Sequence, residues 1–410
     1  MRADVPASIR ELDEKDALKH FRARFTLPPG VIYLDGNSLG ALPASTAPRL
    51  AEVVTEEWGQ GLIRSWNDRD WVRASRRVGD KIASLIGADA GEVVVADSTS
   101  VNIFKLLTAV TAARPERKVI LSEAGNFPTD LYVAQGIAAL LPGISLRAVD
   151  TGEIWDAVTE DVAVLLLTHV HYKTGCRHDM ARLTRRAHDM GALVIWDLSH
   201  SIGAVEIDLG AASADLAVGC GYKYLNGGPG APAFVYVAER LQKDLRSPIT
   251  GWFGHAAPFD FAGSYQPAPG INQFLSGTPP ILGLMALEVG VDLLAEAPRD
   301  LLFQKSRALC SLFIELVDSY CPGLEVVTPR DPEARGSHVS LRHKDGYPII
   351  QALIAEGVIG DFRAPDIMRF GFAPLYLSYT DVFLAAAALR DVLATRKWDD
   401  DQFRKRASVT

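Results

Sequence analysis

Three short stretches of this chain carry residues that can do chemistry together. In Ala217-Val218-Gly219-Cys220-Gly221-Tyr222-Lys223-Tyr224-Leu225-Asn226-Gly227-Gly228-Pro229-Gly230, a lysine follows an apolar run and precedes a glycine-rich turn. An ammonium there is costly to bury unpaired, but an amine that condenses with an aldehyde cofactor gives up that charge. Alone, the same lysine reads more simply as a strand-end side chain snorkelling to solvent. Its company therefore decides the reading.

Leu193-Val194-Ile195-Trp196-Asp197-Leu198-Ser199-His200 sets an aspartate just past an apolar run, where open α/β sheets bind ligands. A carboxylate there can pair with a pyridinium nitrogen and keep it protonated, which is the electron sink of pyridoxal 5'-phosphate (PLP) chemistry. The same aspartate could cap the next helix, and His200 could bond a cofactor or merely pack. Glu92 through Ile103 reads as strand, hydroxyl-rich loop and helix start. Thr99 and Ser100 there could join free backbone N–H groups on a phosphate, or serve only as caps. Asn126-Phe127-Pro128-Thr129-Asp130 adds a ring able to stack on a pyridine, with a carboxylate beside it.

These groups converge only if the chain folds as βα units. Compact β-branched or aliphatic runs begin at Val93, Val119, Val162, Leu193, Leu216 and Phe234 and alternate with amphipathic stretches. Being nearly all apolar, they predict parallel strands covered on both faces, with His178 to Met190 as one crossover helix. Upstream, a charged helix-like start leads to a short strand, Val31-Ile32-Tyr33-Leu34. It is followed by a turn, Asp35-Gly36-Asn37-Ser38-Leu39-Gly40, whose glycines would permit positive φ. Tyr236 to Pro280, including Gly251-Trp252-Phe253-Gly254-His255, is too rich in Gly, Pro and aromatic residues for regular elements and reads as a loop-rich site wall. From Ile281 the pattern is a long helical stretch, strand-like Leu324 to Val327 and Gly336 to Leu341, a helix, a short strand and a last helix. The expected division is an N-terminal segment (1–45), a large domain (46–280) and a smaller C-terminal α/β domain (281–410), with no internal repeat.

With 410 residues the chain exceeds what a single core usually fills, which favours two unequal domains. A net charge of −8 from interspersed residues implies no basic surface for nucleic acid or anionic lipid. Cys176, Cys220, Cys310 and Cys321 are scattered and form no Cys-x-x-Cys pair, so neither a disulfide framework nor a metal site is expected, and a reducing cytoplasm fits. The start, MRADVPASIRELDEKDALKHF, lacks the apolar stretch of a signal peptide, and no apolar run reaches membrane-span length.

In their order along the chain, phosphate loop, stacking aromatic, strand-end aspartate and lysine resemble the kynureninases, PLP enzymes of the aminotransferase-like fold type I. The resemblance covers nearly the whole chain. Its most specific stretches are Tyr33 to Gly40, Asn126 to Asp130, Trp196 to His200, Gly221 to Asn226 and Gly251 to His255. It implies an α/β large domain with a mainly parallel seven-stranded sheet. Lys223 would be the Schiff-base lysine, Asp197 the partner of the pyridine nitrogen and Phe127 the stacking ring. Thr99, Ser100 and Tyr222 match phosphate-binding positions, Asp130, Thr168 and His200 line the cofactor, and Trp252 and Thr278 match further cofactor contacts. Tyr222 is also a candidate proton donor. Arg369, in Ile367-Met368-Arg369-Phe370-Gly371-Phe372, matches the arginine that grips the substrate α-carboxylate; on the residues alone it could be a domain-closing salt bridge. Trp66, Gly277 and Thr278 look like the bacterial pattern preferring L-kynurenine over 3-hydroxykynurenine.

The reaction so implied hydrolyses L-kynurenine to anthranilate and L-alanine, in tryptophan breakdown or cofactor biosynthesis, by a cytoplasmic homodimer with shared active sites. Two rivals stand beside it. A cysteine desulfurase or related aminotransferase shares fold and lysine, but needs a nucleophilic cysteine on a mobile loop, whereas Cys310 sits in a helical pattern and Cys321 at a Pro-Gly turn. A catalytically inactive binding relative would lack the lysine's cofactor absorption band.

Overall fold

The computed structural model describes residues 4–406, so the first three residues of the charged start and the last four of the chain lie outside it. At its centre is a seven-stranded sheet of β1 (Val93–Val95), β2 (Val119–Glu123), β3 (Ser145–Val149), β4 (Val162–Thr168), β5 (Leu193–Asp197), β6 (Leu216–Gly219) and β7 (Phe234–Val237). Their spatial order is β1-β7-β6-β5-β4-β2-β3. The six apolar runs begin where the sequence places them, and every residue in those six strands is buried. Alternate residues feed two cores: Val94, Ile120, Leu166, Ile195 and Val218 face one side, and Val93, Leu121, Leu165, Trp196 and Phe234 the other.

Two expectations need correction. β7 runs antiparallel to both β6 and β1. Its all-apolar run reflects burial on both faces, which does not distinguish strand direction. The seventh strand, β3, was not among the apolar runs because it is the sheet's edge: Ser145 and Ala148 are exposed, and its Arg147 pairs with Asp161 at 2.5 Å.

The crossover helix is Met180–Asp189, between β4 and β5. Asp179 caps it by accepting from Arg182 N at 3.0 Å, and Arg186 and His188 lie in its last turn, complementing the helix dipole. Between β7 and the helix Ile281–Ala295 only short 3-10 turns interrupt the loop-rich wall. That helix packs on the helices Thr46–Glu52 and Ala74–Leu85, with Glu288 pairing Arg77 and Lys81.

After the helix Arg299–Tyr320 comes a four-stranded antiparallel sheet of β8 (Glu325–Val326), β9 (His338–Arg342), β10 (Asp361–Arg363) and β11 (Ile367–Gly371), ordered β8-β9-β11-β10. Where the sequence pattern indicates one short strand before the last helix, there are three pieces: Val358–Ile359, β10 and β11. The first pairs in parallel with Ile32–Tyr33, the core of the short strand expected upstream. The turn that follows has a different reason for its glycines than backbone sign, since neither Gly36 nor Gly40 has positive φ. A Cβ at Gly40 would lie 2.2 Å from Lys223 O, and one at Gly36 would lie 2.3 Å from Tyr376 Oη. Close approach is what excludes a side chain there. Among the described residues no helix is long and apolar enough to cross a membrane.

Candidate active site

The parallel strands deliver their pieces at their C-terminal ends. β2 turns through Asn126 and Phe127 into the helix Pro128–Leu140, β4 ends at Thr168, β5 at Asp197, and β6 ends four residues before Lys223. Together they line a cavity of about 130 Å³ with Thr99, Ser100, Phe127, Asp130, Asp197, His200, Tyr222 and Lys223, and with Ser98, Thr129, Ser199, Cys220, Ala231 and Ala233.

Lys223 does not snorkel to solvent; it is 8% exposed. Its Nζ lies 2.9 Å from His200 Nε2 and 5.5 Å from the centre of the Phe127 ring. Burial, reinforced by the Lys223 charge, pushes the His200 imidazole well below its usual range, so His200 is a neutral acceptor for the lysine. Asp197 accepts Ser199 N–H at 2.8 Å, and burial raises its carboxyl against the opposing pull of Lys223 and Ser199. Burial and the Asp197 charge push Asp130 well above the usual carboxylate range. Thr168 Oγ1 sits behind it, donating to Asn126 Oδ1 and lying 3.5 Å from Asp130 Oδ2. Asp130 Oδ1 and His200 Nδ1 are buried without a partner among the described residues. Among the described residues neither buried carboxyl accepts a hydrogen bond from a cationic N–H, and a protonated pyridine is such a donor.

At the other end of the cavity the 15-residue helix Thr99–Ala113 begins, its cap being Ser98 Oγ accepting from Val101 N at 3.4 Å. Thr99 and Ser100 at its first turn suit a phosphate. Behind the loop, the buried Lys105 pairs with Asp97 at 2.5 Å and donates to Phe274 O at 2.5 Å, which anchors it. The residues present therefore fit PLP at both its ends. The Tyr222 phenol is pushed up by burial and keeps its proton.

The remaining expected residues form two groups outside the cavity. Trp66, Trp252, Gly277 and Thr278 belong to one. Trp66 packs against Phe253 with ring centres 5.7 Å apart, Phe253 lies 5.0 Å from Trp252, and Phe253 N donates to Ser276 O at 2.9 Å. Trp252, Gly277 and Thr278 are exposed. Arg369 belongs to the other. It is buried on β11, directly opposite Asp361 on β10. Its Nε donates to Asp361 Oδ1 at 2.7 Å, Nη2 to Asp361 Oδ2 and to Ser38 Oγ (3.1 Å), and Nη1 to Tyr172 O at 2.5 Å. The Tyr172 ring stands edge-on to Phe127 at 5.1 Å. Ser38, Tyr172, Asp361 and Arg363 escaped sequence reasoning; only the β10–β11 register brings the last two to Arg369. His338 on β9 escaped as well. Burial pushes its ring down to about 3, both nitrogens lack partners among the described residues, and it lies 5.7 Å from His200.

A family profile described as "Kynureninase C-terminal domain" matches residues 302–389. The chain is 53% identical to the kynureninase of Pseudomonas fluorescens, over 97% of this chain and 98% of that protein. It is 50% identical to that of Burkholderia pseudomallei (strain K96243), over the same shares. Among solved structures, an apo cysteine desulfurase from Thermococcus onnurineus NA1 superposes with a TM-score of 0.77 at 18% identity, covering 96% of this chain and 100% of that one. A variant of the cystine C–S lyase C-DES, with glycine covalently linked to its PLP cofactor, gives a TM-score of 0.79 at 15% identity, covering 90% and 98%. At such identities these structures speak for the fold alone.

Proposed function

The chain belongs to the kynureninase family and is a PLP-dependent hydrolase cleaving L-kynurenine to anthranilate and L-alanine, and on that premise we propose how its own residues divide the work. The observation that carries the assignment is Lys223 Nζ 2.9 Å from the neutral His200, in a cavity shared with Asp197 and Phe127. When bound, PLP supplies a protonated pyridine that takes up the electron pair left on a substrate carbon. Lys223 would hold its aldehyde, Asp197 would accept the ring N–H with Asp130 and Thr168 beside it, Phe127 would cover the ring, and Thr99, Ser100 and Tyr222 would hold the phosphate.

Freed by the substrate amine, Lys223 moves the substrate Cα proton while His200 keeps the amine oriented. Water adds to the γ-carbonyl, and the bond between the β and γ carbons breaks to release anthranilate. Tyr222, kept protonated by burial, donates to the carbon that becomes the alanine methyl. Arg369 takes the α-carboxylate. The desulfurase rival rests on fold likeness alone, and burial pushes the Cys310 and Cys321 thiols up to about 12 and about 11, unsuited to a thiolate nucleophile.

The same proposal takes the molecule as a cytoplasmic homodimer divided at residues 45 and 280. Exposed apolar side chains support the dimer: Trp58, Leu62 and Ile63 on one segment, Phe259 and Phe261 beside Trp252 on another, with Ile63 and Phe261 each 77% exposed. Trp66, Trp252, Gly277 and Thr278 would then complete the partner's site and favour L-kynurenine over its 3-hydroxy form. With PLP added, Lys223→Ala should make no anthranilate from L-kynurenine while its circular dichroism stays that of the wild type. Anthranilate production by that variant would sink the assignment.

A further inference from the structure

Arg369 reaches the substrate carboxylate already engaged. Of its five N–H groups, two go to Asp361, one to Ser38 and one to Tyr172 O, leaving one. A carboxylate approaching this fork alone would meet the buried Asp361 anion beside it. A second guanidinium alters the balance. Arg363 Nη2 lies 2.7 Å from the same Asp361 Oδ2 and 3.3 Å from Ser38 Oγ, and its Nη1 donates to Phe362 O at 3.1 Å. This leaves its Nε–H and one Nη1–H without an acceptor among the described residues, on a side chain that is 34% exposed where that of Arg369 is 2%.

Two guanidiniums thus surround one carboxylate. Burial opposes ionisation of Asp361, but the two arginines more than offset it and hold its carboxyl below the usual range. The nearby Asp35 is pushed the other way, up to about 7, by burial and by the Asp361 charge. The cluster therefore carries one uncompensated positive charge when Asp35 holds its proton. It adjoins the cavity by two routes: Tyr172 links Arg369 to the Phe127 ring, and Ser38 lies two residues before Gly40, whose N–H donates to Tyr222 O at 2.7 Å.

We propose that Arg363 is a specificity-determining residue for the substrate α-carboxylate, supplying the positive charge that the Asp361–Arg369 pair has already cancelled. This rests on the kynureninase reading. The test compares wild-type holoenzyme with Arg363→Gln and Arg363→Lys in two assays. The first is calorimetric titration with L-alanine and with L-alaninamide; the second is turnover of L-kynurenine and of its α-amide.

Loss of a charge-assisted pair predicts that Arg363→Gln weakens L-alanine binding about tenfold, leaves L-alaninamide within about twofold, and raises KM for L-kynurenine far more than it lowers kcat. Arg363→Lys should recover most of the preference for acid over amide. If Arg363→Gln does not fold, Arg363→Met, which keeps the side-chain bulk, takes its place with the same expectation. An unchanged acid-to-amide ratio, or equal loss with both ligands, overturns the proposal. A wild type that makes no anthranilate from L-kynurenine overturns the kynureninase reading instead.

Discussion

The Lys223 cavity and the Trp66–Trp252 group contrast in how completely one chain builds them. Around Lys223, side chains from the ends of β2, β4, β5 and β6 converge in a buried space, where burial and neighbouring charges shift Asp130, Asp197 and His200. Trp66 sits on the short helix Ser65–Asp68 and Trp252, Gly277 and Thr278 on turns and loops; Phe253 joins the two tryptophans by ring contacts, and Phe259 and Phe261 stay in solvent. The difference suggests a division of labour. Under the proposed assignment, the cofactor chemistry is assembled from sheet geometry, while substrate choice would fall to loops that the proposed second copy completes.

The contrast is broken most forcefully from the inside. Asp197→Asn keeps the shape but removes the charge that would hold a pyridine proton, so kcat should fall by about 100-fold or more. The apoprotein should not suffer. Because burial raises the Asp197 carboxyl in the folded state, stability lost as pH climbs from the ordinary carboxylate range through that raised value would be regained. Asp197→Asn apoprotein should therefore melt no lower than wild type at pH 8, a result that thermal denaturation checks.

The outer group should respond in assembly rather than in the cavity. Ile63→Asp together with Phe261→Ser should shift the sedimentation mass toward the monomer and lower the melting temperature by no more than assembly contributes, since both side chains are exposed in the single chain. An unchanged mass would show that these patches are not the contact. A smaller effect is expected from Trp66→His with Thr278→Asn, which should move the kcat/KM ratio of L-kynurenine over 3-hydroxykynurenine by about tenfold toward the hydroxylated substrate.

The smallest effect is a control at the end of β2. There Glu123 accepts from Thr151 and lies 2.9 Å from His178 Nε2. Burial alone would raise this carboxyl, but the His178 and Thr151 hydrogen bonds outweigh it and lower it. Its stabilisation is thus present above the ordinary glutamate range and lost as pH falls through the lowered value. Glu123→Gln should cost about 1 kcal/mol at pH 7, less in acid, and leave substrate preference alone.

The cavity was legible in the sequence because its parts stand at strand ends, and strands buried on both faces announce themselves as unbroken apolar runs. β3 was silent because an edge strand keeps polar residues, and the direction of β7 was hidden because burial carries no sign. The Asp361–Arg363–Arg369 cluster depends on the register of two short strands, and Gly40 on a contact with Lys223 far along the chain. Neither leaves a periodic trace. Trp252, Gly277 and Thr278 lie in a stretch that composition marks as a site wall, but their individual roles and that of Trp66 came only through family resemblance, since aromatic residues in loops look alike whether they face solvent or a partner.

The central claim is that Lys223 is the amine holding the cofactor, and reduction by borohydride tests it directly. Treating the PLP-loaded protein with borohydride fixes the cofactor to whichever amine carries it, and peptide mass mapping locates the adduct. The added mass is expected on the peptide containing Lys223 and on no other. An adduct on the buried Lys105 or another lysine, with Lys223 unmodified, would contradict the claim.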